Sequence, residues 1–166
     1  MNETVPTPER KRAKSESSTE RGTFLSVRSI LNRTLDVVRY VRLQLQQLEI
    51  DDERTRLFVA ALINQRSALE YAIDQCVLAA PRSTTDTVVQ YADNPADAAV
   101  EPPSRHTPDD LVRWQNAVDD ALVRGLTAVA ERVENPEAAE ILRGLTQLLS
   151  EHTRRTAFRL QEQRDV

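Results

Sequence analysis

The sequence predicts an all-α fold: two antiparallel helical hairpins joined by a long crossover loop, together a four-helix bundle. Three observations predict it. Four stretches carry apolar residues at steps of 3 and 4, strictly alternating in the first, the spacing that lines one face of a packed helix. Two short acidic connections, "IDDERT" and "ENPE", group those stretches into pairs. Between the pairs lies a segment, 81–107, in which no such stripe survives and in which four of the eight prolines fall.

The first helix is expected over about 23–48. Val27, Leu31, Thr34, Val38, Val41, Leu45 and Leu48 form its stripe, and Phe24, Ile30, Leu35 and Val37 widen it. The second is expected over about 52–80, with Asp51 or Asp52 as its cap, Glu53 in the first turn and Pro81 as its stop. Phe58, Leu62, Gln65, Leu69, Ala72 and Cys76 form its stripe, with Gln65 the polar exception. The crossover then fills 81–107. "TPDD" opens the third helix, 108–133, with Thr107 as cap, Pro108 in the first position and two aspartates at the positive end of the helix dipole. Its stripe is Leu111, Trp114, Val118, Leu122, Leu126, Val129 and Val133. Asn135 and Pro136 open the fourth helix, 136–164, which turns Ala138, Leu142, Leu145, Leu149, His152, Thr156 and Leu160 inward. Arg154, Arg155, Arg159 and Arg164 suit the negative end of its dipole.

Composition agrees. A chain of 166 residues with 40 % apolar content suits one domain with one core, here 22–166. Three glycines and 4 % aromatics favour helix over sheet. Residues 1–21 read as a disordered polar tail. Its basic cluster "ERKRAK" holds both lysines, Lys11 and Lys14, but Glu9, Glu16 and Glu20 sit alongside. A net charge of −4 gives no global drive toward nucleic acid or anionic lipid. A single Cys, no secretory signal and no apolar run long enough to span a bilayer lead to the expectation of a cytoplasmic protein.

The second and fourth stretches also match each other. "DDERTRLFVAALINQRSALE" laid over "NPEAAEILRGLTQLLSEH" pairs Glu53 with Glu137, Leu57 with Ile141, Phe58 with Leu142 and Ala61 with Leu145. This fits internal duplication, and it equally fits the general likeness of amphipathic hairpins. Helices of this length are about 40 Å long. The crossover is long enough to return along them, since an extended residue reaches about 3.3 Å.

On these two segments the chain resembles the ferritin-like superfamily, closest to its rubrerythrin-type branch, over about residues 23–164. The resemblance implies a dinuclear iron or manganese centre, built from one Glu on each of two helices and a Glu-x-x-His on each of the other two. Carried over by position, the Glu-x-x-His places fall on Gln65 and Ala68, and on Leu149 and His152. The lone carboxylates fall on Leu35 and Asp119, with Asp36, Asp120 and Leu122 within a turn. Only His152 and Asp119 match in type. Two divalent cations in a buried bundle need anionic ligands to offset lost hydration. The departure therefore puts ferroxidase, peroxidase and storage activities in doubt.

The remaining chemistry is sparse. His106, in the crossover, is the only other His. No Gly-rich phosphate loop is present. Cys76 reads as a packed small side chain, and Glu70 with Asp74 as a solvated pair. The expectation is a degenerate site in which His152, Gln65 and Asp119 form a polar network in the core, without cofactor. The protein then acts as a non-catalytic binding or assembly module. Its partners are a second copy in a homodimer, another protein, or a small apolar ligand. Phe24, Ile30, Val37 and Leu43 supply an outward edge, and Val88, Val89 and Tyr91 cover the bundle or complete that interface. The alternative is a divergent iron or manganese oxidoreductase or iron-handling protein, using His152, Asp119 and Glu70 or Asp36. A third class is a nucleic-acid or membrane-surface module working through "ERKRAK" and the arginines of the fourth helix.

Overall fold

A computed structural model of the protein describes residues 23–91 and 101–164. The chain is mainly helical, with a two-stranded ribbon. In order, the elements are β1 (Thr23–Ser26), α1 (Val27–Gln46), α2 (Glu53–Ala79), α3 (Arg82–Thr85), β2 (Val88–Tyr91), α4 (Pro108–Arg132) and α5 (Pro136–Arg164). The tail assigned to 1–21, with its basic cluster, lies outside the described residues, as does 92–100 of the crossover.

Local chemistry sets the helix starts. Asp52 accepts from Thr55 N at 2.7 Å, Thr107 accepts from Asp110 N at 3.2 Å, and Pro108 takes the first position of α4. Asn135 Oδ1 accepts from Glu137 N at 3.0 Å and from Ala138 N at 3.3 Å, opening α5. The first helix begins later than expected. Ser26 caps α1 by accepting from Ser29 N at 3.1 Å, and the residues before it are a strand rather than helix. Apolar spacing alone hid this, because Phe24 falls in phase with the α1 stripe.

The crossover also contains structure that its prolines did not suggest. Pro81 is followed by α3, and β2 then pairs antiparallel with β1, placing Leu25 opposite Val89 and Phe24 opposite Gln90. Alternation sends Val89 into the core and leaves Val88 and Phe24 exposed. Val27 N donates to Thr87 O at 2.9 Å, and Arg28 Nη2 donates to Thr85 Oγ1 at 2.6 Å. The start of α1 is thus fastened to the segment that follows α2.

The same segment touches α5. Thr84 Oγ1 donates to Glu137 Oε2 at 2.7 Å, and Asn135 Nδ2 donates to Thr87 Oγ1 at 3.1 Å. One end of the molecule therefore gathers the start of α1, the end of α2, the end of α4 and the start of α5. It follows that α1 and α5 run one way, and α2 and α4 the other. The α1–α2 and α4–α5 hairpins pack most closely, α2 also meets α5, and β2 lies against α4.

One apolar core draws on all four long helices and on Val89. Its α1 face includes Ile30 and Val37, which are buried and so belong to the core rather than to an outward edge. Phe24 and Leu43 do remain exposed. On α2 the buried face is Phe58, Val59, Leu62, Arg66, Leu69 and Ile73. It is rotated from the expected one, leaving Gln65 and Ala72 half-buried and Cys76 exposed. The sequence of α2 carries apolar residues around most of its circumference, so no single stripe stood out. Across α1 and α2, Glu70 accepts from Arg39 Nε and Arg42 Nε, both at 2.8 Å. Burial pushes the Glu70 carboxyl up, but the bonds from Arg39 and Arg42 bring it below its ordinary value.

Asn135→Ala removes both the α5 cap and the tie to Thr87. It is expected to destabilise the fold by about 1–2 kcal/mol in urea unfolding, with the slope of the transition unchanged.

Candidate functional site: a buried Arg–Asp–His triad and an adjoining cavity

The site begins with a charged residue in a place where the α2 stripe needs an apolar one. Val59, Leu62, Arg66, Leu69 and Ile73 are spaced 3, 4, 3 and 4, so Arg66 lies in the middle of the buried face. It is wholly buried, and its counter-charge is Asp119 on α4, also wholly buried. The contact is a two-pronged fork: Arg66 Nη1 donates to Asp119 Oδ1 at 2.7 Å and Nη2 to Oδ2 at 3.0 Å.

α5 completes the group. His152 is 7 % exposed, and its Nδ1 lies 3.2 Å from Asp119 Oδ2. Thr153 Oγ1 is 3.5 Å from the same oxygen and donates over a shorter distance, 3.2 Å, to Leu149 O. Burial drives the Asp119 carboxyl up, but the Arg66 charge and the hydrogen bonds from His152 and Arg66 hold it below the ordinary carboxylate range. Asp119 is thus an ionised acceptor, and the hydrogen between it and His152 belongs to Nδ1. Nε2, the other ring nitrogen, is itself buried. Among the described residues, no protein group lies within hydrogen-bond reach of His152 Nε2, Arg66 Nε or either end of the Gln115 amide. Gln115 is buried one turn before Asp119 on α4.

Of the residues expected to form a polar network, Asp119 and His152 meet directly. Gln65 does not join them. Its Oε1 lies 3.3 Å from Thr156 Oγ1, which also donates to His152 O at 3.0 Å. The α2 member of the network is the next residue, Arg66. A neutral amide costs less to bury than a charge, which favoured Gln65 on sequence grounds. The signal for Arg66 was its step of 4 from Leu62 and 3 to Leu69, with an acid beside the α4 stripe at a matching height.

A cavity of about 240 Å³ opens between α2 and α5. Leu69, Ala72, Leu148, Glu151 and His152 line it, with Gln65 and Arg155 also at its wall. Gln65 and Arg155 also border a broader depression of about 570 Å³, which reaches Arg154, Phe158 and Arg159.

The metal positions implied by the ferritin-like resemblance do not fit a dinuclear centre. Leu35 and Leu149 are core residues, and Ala68 is exposed. The Gln65 oxygen faces Thr156, and both Asp119 oxygens are taken by Arg66, one of them also by His152. Asp36 and Asp120 are exposed, and Glu70 is held by two arginines. Among the described residues no three His, Cys, Asp or Glu side chains come together as a metal-holding group. No helix among them is long and apolar enough to cross a membrane. No protein-family model, curated protein or solved structure matches the chain.

Asp119→Asn leaves Arg66 buried without a counter-charge and is expected to cost about 3–5 kcal/mol near neutral pH. The paired Arg66→Met, Asp119→Leu variant recovers most of that loss, because it removes both charges together. The Asp119 pKa is lowered on folding, so its contribution is in place above the ordinary carboxylate pKa. That contribution fades as pH falls through the lower folded-state value. The stability gap between wild type and the single variant should therefore narrow on acidification, read by urea unfolding at a series of pH values.

Proposed function

We propose that this chain is a ferritin-like four-helix bundle, of rubrerythrin type, that works as a non-catalytic binding and assembly module without a dimetal site. The observation that carries this reading is the Arg66–Asp119 fork. Where such a bundle would use carboxylates to hold cations, this chain presents the buried carboxylate of Asp119 to a guanidinium on its own α2. The helix directions support the reading, since parallel α2 and α4 require the connection between the hairpins to return along the bundle. Cys76, free and exposed, suits the reducing cytoplasm in which we place the protein.

The assembly half rests on α2. Its outer face presents Leu57, Tyr71 and Leu78, exposed by 68 %, 66 % and 71 %. Ala61, Asn64, Ala68 and Gln75 lie between them at steps of 4 and 3, completing a second heptad-like stripe on the side away from the core. A second copy is the partner in this proposal, with α2 against α2 about a twofold axis, so that one patch serves both subunits.

Two outcomes test the reading. Protein expressed with added iron or manganese and freed of loose metal should retain almost none. Near two ions per chain, lost together in His152→Ala, would restore a metal enzyme. Sedimentation should give a dimer at micromolar concentration, shifted toward monomer by about tenfold or more in Tyr71→Glu. A wild-type protein that stays monomeric at high micromolar concentration removes the assembly half.

A further inference from the structure

We infer that the broad depression where α5 meets α2 is a binding site for a nucleoside diphosphate, with the base on the ring of Phe158 and the phosphates on Arg154, Arg155 and Arg159. This goes beyond the proposed function, since it depends neither on the dimetal reading nor on pairing through α2.

Three observations carry it. The first is charge without counter-charge. Gln65, Arg154, Arg155, Phe158 and Arg159 border the depression, and none of them is a carboxylate. Among the described residues Arg154 and Arg159 make no ion pair, and Arg155, 75 % exposed, has only Glu151 at 3.9 Å. Arg155 and Arg159 stand one turn apart on α5, a spacing at which like charges repel. Arg154 and Arg155 lie more than two turns before Arg164, too far back for the helix dipole to account for them. The chain as a whole carries −4, so this positive field is a local feature. The second observation is the aromatic ring. Phe158 is 62 % exposed beside these guanidiniums, and a ring left in water forfeits burial that a flat partner recovers. The third is size and shape. About 570 Å³ falls within the roughly 300–1,000 Å³ range of small-molecule sites. Gln65 closes the α2 side, and its amide is held in place by Thr156, which donates to Oε1 at 3.3 Å.

A nucleoside diphosphate answers all three. Its phosphates bring several negative charges to three guanidiniums, whose planar forks suit phosphate oxygens. Its base offers a flat face to Phe158, a contact open to any base. Inorganic pyrophosphate satisfies the arginines and leaves Phe158 bare. A nucleoside covers Phe158 and leaves the arginines unpaired. A long single strand carries further phosphates onto the rest of a surface whose net charge is negative. One free nucleotide is therefore the better fit.

The probe is adenosine diphosphate, with adenosine, pyrophosphate and a thymidine oligonucleotide as comparisons. Each is titrated by calorimetry into the full chain without divalent cation, at about 0.15 M salt, where distant charges are screened. Adenosine diphosphate is expected to bind at least about tenfold more tightly than adenosine or pyrophosphate. Phe158→Ala should weaken it by about tenfold. Arg155→Gln and Arg159→Gln should each weaken it by about threefold to tenfold. Arg143→Gln removes the same charge from an exposed place on α5 outside the depression, and should leave the affinity unchanged. All four positions are exposed, so each variant is expected to unfold in urea as the wild type does. Any of four results overturns the proposal: no binding at millimolar adenosine diphosphate, equal binding of adenosine or pyrophosphate, unchanged affinity in Phe158→Ala, or equal weakening by Arg143→Gln and Arg155→Gln. An oligonucleotide that binds more tightly than adenosine diphosphate overturns it too, and gives the surface to nucleic acid instead.

Discussion

The buried guanidinium of Arg66 is the constraint around which the rest of the molecule is arranged. Moving an ion from water into a protein interior costs several kcal/mol, and only a well-formed contact offsets it. The two-pronged geometry tolerates little rotation and little sliding, since both oxygens of Asp119 must face both nitrogens. Leucine stripes do not discriminate so sharply between neighbouring registers. The fork therefore sets the height of α2 against α4, and with it the first hairpin against the second. His152 extends the constraint to α5, because Asp119 Oδ2 has room for a further donor on that side.

The same arrangement explains why charge, rather than apolar filling, occupies the centre. A guanidinium fixed to the chain delivers one positive charge to one carboxylate and exchanges with nothing. In the proposed reading it stands where a ferritin-like protein would place mobile cations. The imidazole is then relieved of ligand duty toward a metal, while keeping the orientation that a carboxylate behind it supplies. A bundle of this kind retains a polar centre with a defined direction, from Arg66 through Asp119 to His152 and out to the cavity.

Much of this was legible in the sequence, and the boundary of what was legible has physical causes. The four long helices follow from stripes whose period only a helix satisfies, and the caps Asp52, Thr107 and Asn135 stand in the sequence as written. His152 could be placed inside because α5 has a clean polar side. α2 has none, so its rotation was open by nearly one residue, and that residue separates Gln65 from Arg66. The β1–β2 ribbon was out of reach for a different reason. Its strands are four residues each and lie more than sixty positions apart, and they exist because Ser26 stops the helix on one side and α3 turns the chain on the other. Nothing local announces such a pairing.

That ribbon decides how the molecule bears mechanical load. In its register Thr23 lies opposite Tyr91, so the chain enters β1 and leaves β2 at the same edge. Tension drawn through those two strands loads the ladder one rung at a time, as a zipper, rather than all rungs together in shear. The ribbon yields first at Thr23 and Tyr91 and last at Ser26 and Val88. Beyond it the Val27–Thr87 hydrogen bond and the Arg28 contacts take up the strain. Tension between the chain ahead of β1 and the chain beyond β2 thus meets a graded fuse before it loads the start of α1.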